Sequence, residues 1–191
     1  MKFRISDLES VVLQMLDENG EILDERVEFG DPATSVKSLI RTFLPVAALK
    51  VVKNFPGACL ADCETLLPGV LKRSGAGIAT LALPGNFLRL VYLRMKSWNS
   101  GVCNTLDSTS DAYRLRVSRM GARYKSPAVS ITLHKGVLSL EIFGVADDDE
   151  IEACAYLSVP TVDGYYINIP EECEYEVCEE VADMISRING K

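Results

Sequence analysis

The spacing of the apolar residues changes twice along the chain, and this order constrains the fold more than any single motif does. Before Ser74-Gly75-Ala76-Gly77 the apolar residues recur at helical spacing, after it they form strand-like runs, and from Glu171 they are helical again. Helices followed by strands and a last helix predict an α+β chain. We expect a small helical bundle closed by the C-terminal helix, with an inserted antiparallel β-sheet.

The first two helices have recognisable ends. Ser6 and Glu9 have the spacing of a capping box, and Asn19-Gly20 ends the apolar repeat that follows them. Asp31-Pro32 supplies an N-cap and a first-turn residue for a second helix. Pro45 should kink or divide this helix, because proline removes a backbone hydrogen bond and its ring crowds the preceding turn.

The later elements are predicted from apolar runs and the turn residues between them. Further helices are expected at 58–67, 110–120 and 171–188. Two hairpins are expected, and their strands are 78–83 with 87–96 and 128–133 with 137–143. Single strands are expected at 151–159 and 165–169.

The chain has 191 residues, of which 48% are hydrophobic, and is long enough for a sizeable core. We expect one compact unit with an N-terminal helical region at 1–77, a β-rich inserted region at 78–160 and a C-terminal helix at 161–191. No apolar run approaches the roughly 20 residues of a membrane-spanning helix, so no membrane partner is expected. The six cysteines are expected to be reduced thiols of a cytosolic product, because no apolar signal segment opens the chain.

Charge is divided into blocks, and the formal net charge is −7. Residues 1–30 carry 3 basic and 8 acidic side chains, residues 88–125 carry 8 and 2, and residues 141–191 carry 2 and 14. The acidic total argues against nucleic-acid binding over the whole surface, because lysine and arginine supply most of the affinity for phosphates. Separate blocks of opposite sign suit a head-to-tail contact between copies, which closes a ring where the rotation allows.

The basic block starts in the segment ATLALPGNFLRLVYLRMKSW, from Ala79 to Trp98, where cationic residues stand among apolar ones. It continues beyond Ser110 with arginines at helical spacing. These arginines would form salt bridges to the acidic C-terminal block, within the chain or between subunits, or would contact phosphates. Salt bridging is favoured, because base-stacking aromatic residues are sparse there. The candidate subunit interface consists of Arg89, Arg94, Lys96, Trp98, Arg114, Arg116, Arg119 and Arg123.

No catalytic, cofactor-binding or metal-binding residue is predicted. Cys59 and Cys63 have helical spacing, but a zinc site needs further ligands in tight pairs, and His134 is the only histidine. The acidic run from Asp147 to Glu150 lacks the spaced oxygen ligands of a calcium loop and is expected to be a solvated loop. The glycines between Ser74 and Gly77 lead into a strand, whereas those of a phosphate-binding loop lead into a helix.

Part of the chain resembles a known family. The segments LPGNFLRLVYLRMKSW, DAYRLRVSRMGARYKSPAVSITL and VLSLEIFG, between Leu83 and Gly144, are similar to virion proteins of crAss-like phages of Bacteroides. More distantly, the order of elements is similar to that of tail tubular or adaptor proteins of short-tailed phages. The resemblance implies a non-enzymatic structural protein that forms a ring, dodecameric in the expected case, in the head-tail connector or tail.

Such a ring would form part of the genome-ejection conduit. The expected partners are further copies of the protein, the portal and neighbouring tail proteins, and genomic DNA would pass without sequence-specific binding. The protein would be made in the bacterial host cytoplasm and located in the virion. In this setting the strand with Arg89, Arg94 and Lys96 would build the ring against acidic neighbours. An acidic tube lining would limit attraction to the exiting DNA.

Two other function classes stay open. A bacterial cytoplasmic adaptor domain would use the basic patch to bind one acidic protein partner. A hydrolase built around a cysteine would need a selectively reactive thiol of lowered pKa. A ring protein instead requires self-association, which weakens with salt if it depends on charge.

Overall fold

The computed structural model describes residues 1–18, 36–57, 64–65, 71–75, 77–118, 125–134 and 136–188, and the fold is α+β. Contacts divide the chain into two compact units. The first contains Met1–Asp62 and Val159–Lys191, and the second contains Cys63–Ser158 and is inserted between those two parts. The insertion begins earlier than the expected residue 78, because strands that precede this residue already pair inside the second unit.

The first unit contains three helices, α1 (Ile5–Glu18), α2 (Val36–Asn54) and α4 (Glu174–Ile188), and each contacts the other two. A 3-10 turn at Glu171–Cys173 precedes α4. Helix α4 itself confirms the expected C-terminal helix. The buried residues of each helix are spaced so that they share one face, and these faces form an apolar core. The core side chains are Leu8, Val12, Leu16, Ile40, Leu44, Val52, Val177, Val181 and Ile185.

The predicted capping box of α1 is wrong. The helix begins at Ile5, so Ser6 lies inside it, and the Ser6 hydroxyl donates a hydrogen bond to Asp7 Oδ1 at 3.1 Å. Glu9 is buried and accepts a hydrogen bond from Nε of Arg41 on α2. Glu9 therefore contacts a neighbouring helix, and its carboxylate is not used to cap its own.

Other expectations for the N-terminal region have different outcomes. Helix α2 continues through Pro45 without division, and its expected start at Asp31-Pro32 lies outside the described residues. The helix expected at 58–67 is wrong at Glu64–Thr65. These two residues form strand β2, because their backbone pairs with that of Tyr156 and Ala155. The rest of that range lies outside the described residues.

A three-stranded antiparallel sheet belongs to the first unit. Its strands are β1 (Lys2–Arg4), β9 (Thr161–Asp163) and β10 (Tyr166–Asn168), and β10 lies in the middle. Strand β10 confirms the strand expected at 165–169. Strands β1 and β9 were not expected, since three residues are too few to show a period.

The second unit contains two antiparallel sheets. One has the order β3-β4-β7-β6, with β3 (Lys72–Gly75), β4 (Ile78–Ala82), β6 (Ala128–His134) and β7 (Val137–Phe143). The other has the order β2-β8-β5, with β5 (Phe87–Met95) and β8 (Ile151–Ser158). Helix α3 (Asp111–Val117) lies between β5 and β6 in the chain. The hairpin of β6 and β7, strand β8 and helix α3 are all confirmed.

The hairpin expected from 78–83 and 87–96 is wrong, because β4 pairs with β3 and β7, whereas β5 pairs with β8. The Leu83 N–H donates to the Leu138 carbonyl at 2.9 Å, which extends the pairing of β4 with β7. A turn with a 3.1 Å hydrogen bond from the Phe87 N–H to the Pro84 carbonyl then leads into the other sheet. Strands β4 and β5 bury their apolar faces in the same core. Its members include Ala79, Leu81, Phe87, Leu90, Leu93, Met95, Val129, Leu140, Ile142 and Tyr156.

Strand β5 lacks the usual alternation because its pairing with β8 is irregular. The register shifts between Phe87 and Arg89, between Leu90 and Tyr92, and between Arg94 and Met95. An extra residue at a bulge changes the face to which the following side chains point. The buried residues are therefore spaced by two or three positions, and they are Phe87, Leu90, Leu93 and Met95.

Candidate interaction surfaces

Two basic residues, one on β5 and one directly after it, form ion pairs with acidic residues on β8 or directly before it. Nε of Arg94 lies 2.9 Å from Oε2 of Glu152, and Nζ of Lys96 donates to Oε2 of Glu150 at 2.6 Å. Arg89 is half-buried and lies opposite Leu157 in the register. Two basic and two acidic side chains from the separate charge blocks of the sequence thus form ion pairs within one unit.

Trp98, a residue of the candidate interface, belongs to the core of the second unit. Its side chain is 4% exposed, and its Nε1 donates a hydrogen bond to the Gly144 carbonyl at 2.9 Å. Gly144 has φ of +79°, and a Cβ atom there would lie 2.8 Å from the Lys125 carbonyl oxygen. The indole therefore fixes a tight backbone crossing, a role that its place at the end of a cationic strand did not indicate.

The acidic loop after β7 contains one buried carboxylate. Asp147 and Asp148 are exposed, as expected for a solvated loop, but Asp149 is 5% exposed. Oδ1 of Asp149 accepts hydrogen bonds from the backbone N–H of Ser97 and of Glu150, both at 3.0 Å, and Oδ2 accepts one from the Ser97 hydroxyl. Asp149 thus joins the end of β5 to the start of β8. Nothing in a run of identical residues distinguished it beforehand.

Helix α3 is attached to the sheet through Tyr113. The Tyr113 hydroxyl donates to Oε2 of Glu141 at 2.8 Å, and its ring packs edge-on against Phe143 with centroids 5.9 Å apart. Burial and the Glu141 carboxylate raise the pKa of Tyr113 to about 12. Ser110 caps the helix by accepting the Tyr113 N–H at 3.2 Å. The opposite side of α3 therefore faces solvent.

The arginines of α3 differ in their surroundings. Arg116 donates from both terminal nitrogens to the carbonyl and hydroxyl oxygens of Ser126, each at 2.6 Å. The Arg114 side chain is 72% exposed, and its ion pair with the exposed Asp111 is 3.5 Å long. Arg119 and Arg123 lie outside the described residues, so their common face with Arg116 stays a prediction.

Helix α4 presents an exposed stripe of opposite charge. Tyr175, Glu179 and Asp183 are exposed and follow one another at intervals of four residues, which places them on one face. Asp183 has a 3.9 Å contact with Arg187 on the same helix. We call Tyr175, Glu179 and Asp183 the acidic stripe of α4.

The thiols of the described residues are mostly buried. Burial raises the pKa of Cys154 to about 11 and, with a smaller contribution from Glu174, that of Cys178 to about 11. Cys173 is buried and Cys103 is exposed. Over the described ranges, no three His, Cys, Asp or Glu side chains are grouped as a metal ion requires, and no helix is both long and apolar enough to cross a membrane.

Comparison with known protein families finds no match to this chain, and comparison with curated proteins finds none either.

A cavity in the first unit was not anticipated from the sequence. Its volume is about 440 Å³, and it lies where the β9–β10 turn meets the start of α1. The Ile5 N–H donates to the Tyr165 carbonyl at 2.9 Å, which attaches this turn to the helix. We call it the arginine–tyrosine cavity, and its lining residues are Arg4, Ile5, Ser6, Arg41, Val162, Gly164, Tyr165 and Tyr166.

Proposed function

We propose that the protein is a non-enzymatic structural component of a phage virion, repeated in a ring of the head-tail connector or tail that forms part of the genome-ejection conduit. The resemblance across residues 83–143 supports this assignment. The structural observation that carries it is an exposed cationic side chain, Arg114 on α3, together with the exposed acidic stripe on α4. The two surfaces belong to different units.

The charge of the whole chain is divided in the same way. Within the unit boundaries, the sequence places 9 basic and 18 acidic residues in the first unit, for a net −9. The second unit holds 11 basic and 9 acidic residues, for a net +2. Each copy therefore offers an acidic and a weakly basic body, which favours a contact between unlike surfaces of neighbouring copies.

Apolar side chains lie beside the charges on both surfaces. Leu115 and Val117 are exposed near Arg114 on α3, and Tyr175 is exposed beside Glu179 on α4. A contact between α3 of one copy and α4 of the next would bury these groups and pair Arg114 with an acidic residue. This contact is heterologous, and repeating it produces a ring where the rotation closes. The negative total would also keep DNA from adhering to the conduit.

Arg94 on β5 and Lys96 directly after it contribute less to this assembly. Arg94 and Lys96 already have acidic partners within the second unit. Exposed ion pairs of this kind contribute little to stability and weaken with salt. Arg114 is more exposed, and its ion pair with Asp111 is longer, at 3.5 Å, so among the described residues of the candidate interface a charge reversal is most informative there.

The first test is the mass of the protein in solution at low and high salt, alone and with a cognate portal. We expect a closed ring, or a monomer that forms a ring on the portal, and we expect the association to weaken as salt increases. A monomer that is indifferent to both salt and portal would contradict the proposal. Stable binding of one acidic protein without self-association would favour the adaptor class.

A charge exchange tests the contact itself. Arg114→Glu should prevent assembly, because it places like charges against the acidic stripe of the next copy. Lys72→Glu is a matched control, since it makes the same charge change at an exposed position on β3. The double variant Arg114→Glu with Glu179→Arg should assemble again. Rings that form normally with Arg114→Glu would remove α3 from the interface while leaving the ring proposal intact.

A further inference from the structure

The arginine–tyrosine cavity is lined by two arginine and two tyrosine residues, and its lining contains no acidic residue. Within the described residues, Arg4 has neither an ion pair nor a side-chain hydrogen bond. Arg41 uses its Nε for Glu9, and its two terminal nitrogens have no hydrogen-bond partner in the same part of the chain. The two arginines can only donate hydrogen bonds, and the tyrosine hydroxyls can also donate, which suits an anion, whereas the Ser6 hydroxyl already donates to Asp7.

The aromatic side of the cavity suits a planar group. Tyr165 is 83% exposed, and Tyr166 and Val162 are also exposed, so this turn holds apolar surface in contact with water. Gly164 precedes Tyr165 in this turn and has φ of +57°, a left-handed backbone conformation that glycine adopts without strain. Exposed tyrosine rings are stacking surfaces for nucleobases, and every base offers a face for such stacking.

We propose that the arginine–tyrosine cavity binds a nucleoside monophosphate, with its phosphate at Arg4 and Arg41 and its base on Tyr165. A volume of about 440 Å³ is within the range of small-molecule sites. Arginine recognises phosphate through paired hydrogen bonds. The net charge of −9 on this unit disfavours a long polyanion, so a free nucleotide is favoured over a nucleic-acid strand.

Calorimetric titration of the full-length protein distinguishes the sources of the phosphate. Adenosine monophosphate, adenosine, inorganic phosphate and a short single-stranded oligonucleotide with a 5′-phosphate are titrated in parallel. We expect adenosine monophosphate to bind at least about tenfold more tightly than adenosine or inorganic phosphate, and its affinity to fall with salt. No binding of adenosine monophosphate, or tighter binding of the oligonucleotide, would overturn the proposal.

Variants locate the site. Arg4→Gln should reduce the affinity for the nucleotide about tenfold, whereas Lys53→Gln removes a positive charge from the end of α2 and should leave it unchanged. Tyr165→Ala should weaken nucleotide binding but not the weaker binding of phosphate. Arg41→Lys keeps a cation beside the buried Glu9, so this variant should fold. Thermal unfolding can verify its folding before its affinity for the nucleotide is compared with that of the parent. Nucleotide binding that is unchanged in Arg4→Gln and Tyr165→Ala would place the ligand elsewhere and contradict the assignment.

Discussion

The ammonium group of Lys96 lies 2.6 Å from the carboxylate of Glu150, and the backbone N–H of Lys96 also donates to the backbone carbonyl of Glu150 at 2.9 Å. These residues come from the basic and the acidic blocks of the sequence and meet where β5 ends and β8 begins. The contact explains why a cationic strand can belong to an acidic protein without being unsatisfied. A charge block in a sequence is therefore not by itself a charged surface.

This pair predicts a pH dependence. The hydrogen bond from Lys96, followed by its charge, lowers the pKa of Glu150 below the ordinary 4.5. The carboxylate therefore stabilises the folded state above pH 4.5, and this contribution is lost as the pH falls through the lowered folded pKa. Chemical denaturation should find Lys96→Gln slightly less stable than the parent at neutral pH and equal to it in strong acid. A difference that persists unchanged into strong acid would contradict this explanation.

The buried carboxylate of Asp149 should matter far more than its neighbours. Asp149→Ala leaves the Ser97 N–H, the Ser97 hydroxyl and the Glu150 N–H without their acceptor, so we expect a loss of about 2 to 3 kcal/mol in unfolding free energy. Asp148→Ala is the matched control, because that side chain is exposed. Urea denaturation of both variants is the measurement. Equal effects at the two positions would show that the loop is solvated throughout.

Gly144 should not tolerate a side chain. Its φ of +79° and the 2.8 Å approach of the Lys125 carbonyl oxygen to a Cβ position mean that Gly144→Ala should cost about 1 to 3 kcal/mol. At Gly85 a Cβ atom would meet nothing within 4 Å, so Gly85→Ala should have little effect. Thermal unfolding of the two variants tests this, with Trp98 fluorescence as the probe of local packing. A stable Gly144→Ala protein would contradict the tight crossing.

The Tyr113 hydroxyl should hold α3 against the sheet. Removing it in Tyr113→Phe should cost about 1 kcal/mol, whereas Tyr175→Phe changes an exposed ring and should cost little. The folded pKa of about 12 lies above the ordinary 10.0, so the protonated hydroxyl stabilises the folded state below pH 10.0, and this stabilisation is lost as the pH rises to about 12. The parent should lose more stability than Tyr113→Phe over that range. Parallel pH profiles would disprove the role of the hydroxyl.

Thiol labelling tests the class of function. Cys103 should react with an alkylating reagent at pH 8, whereas Cys154 and Cys178 should stay unlabelled, since burial raises the pKa of both thiols to about 11. Peptide mass mapping before and after denaturation gives the pattern. Cys103→Ser controls for labelling at the exposed position. Fast labelling of Cys154 or Cys178 in the folded protein would support a cysteine-based activity.

The helices and most strands could be predicted, because each of those elements leaves a local pattern. Val177, Val181 and Ile185 mark one face of α4 by their spacing alone, and the turn between β6 and β7 separates two apolar runs. The same local patterns misplaced Glu9, which had capping spacing but lies between two helices. They also gave the wrong partners for β4 and β5. Adjacent apolar runs favour a hairpin, whereas in the structure β4 pairs with β7 and β5 pairs with β8.

The sequence by itself determined the α+β class, the order of its elements, the acidic excess and the position of the amphipathic C-terminal helix. Only the tertiary structure decided which strands pair, that Trp98 is in the core, that Asp149 alone of its run is buried, and that Arg4 and Arg41 line one cavity. The physical reason is the separation along the chain of the residues that determine each property. Helix and turn preferences depend on neighbouring residues, whereas burial and charge pairing depend on residues brought together by the fold, such as Lys96 and Glu150.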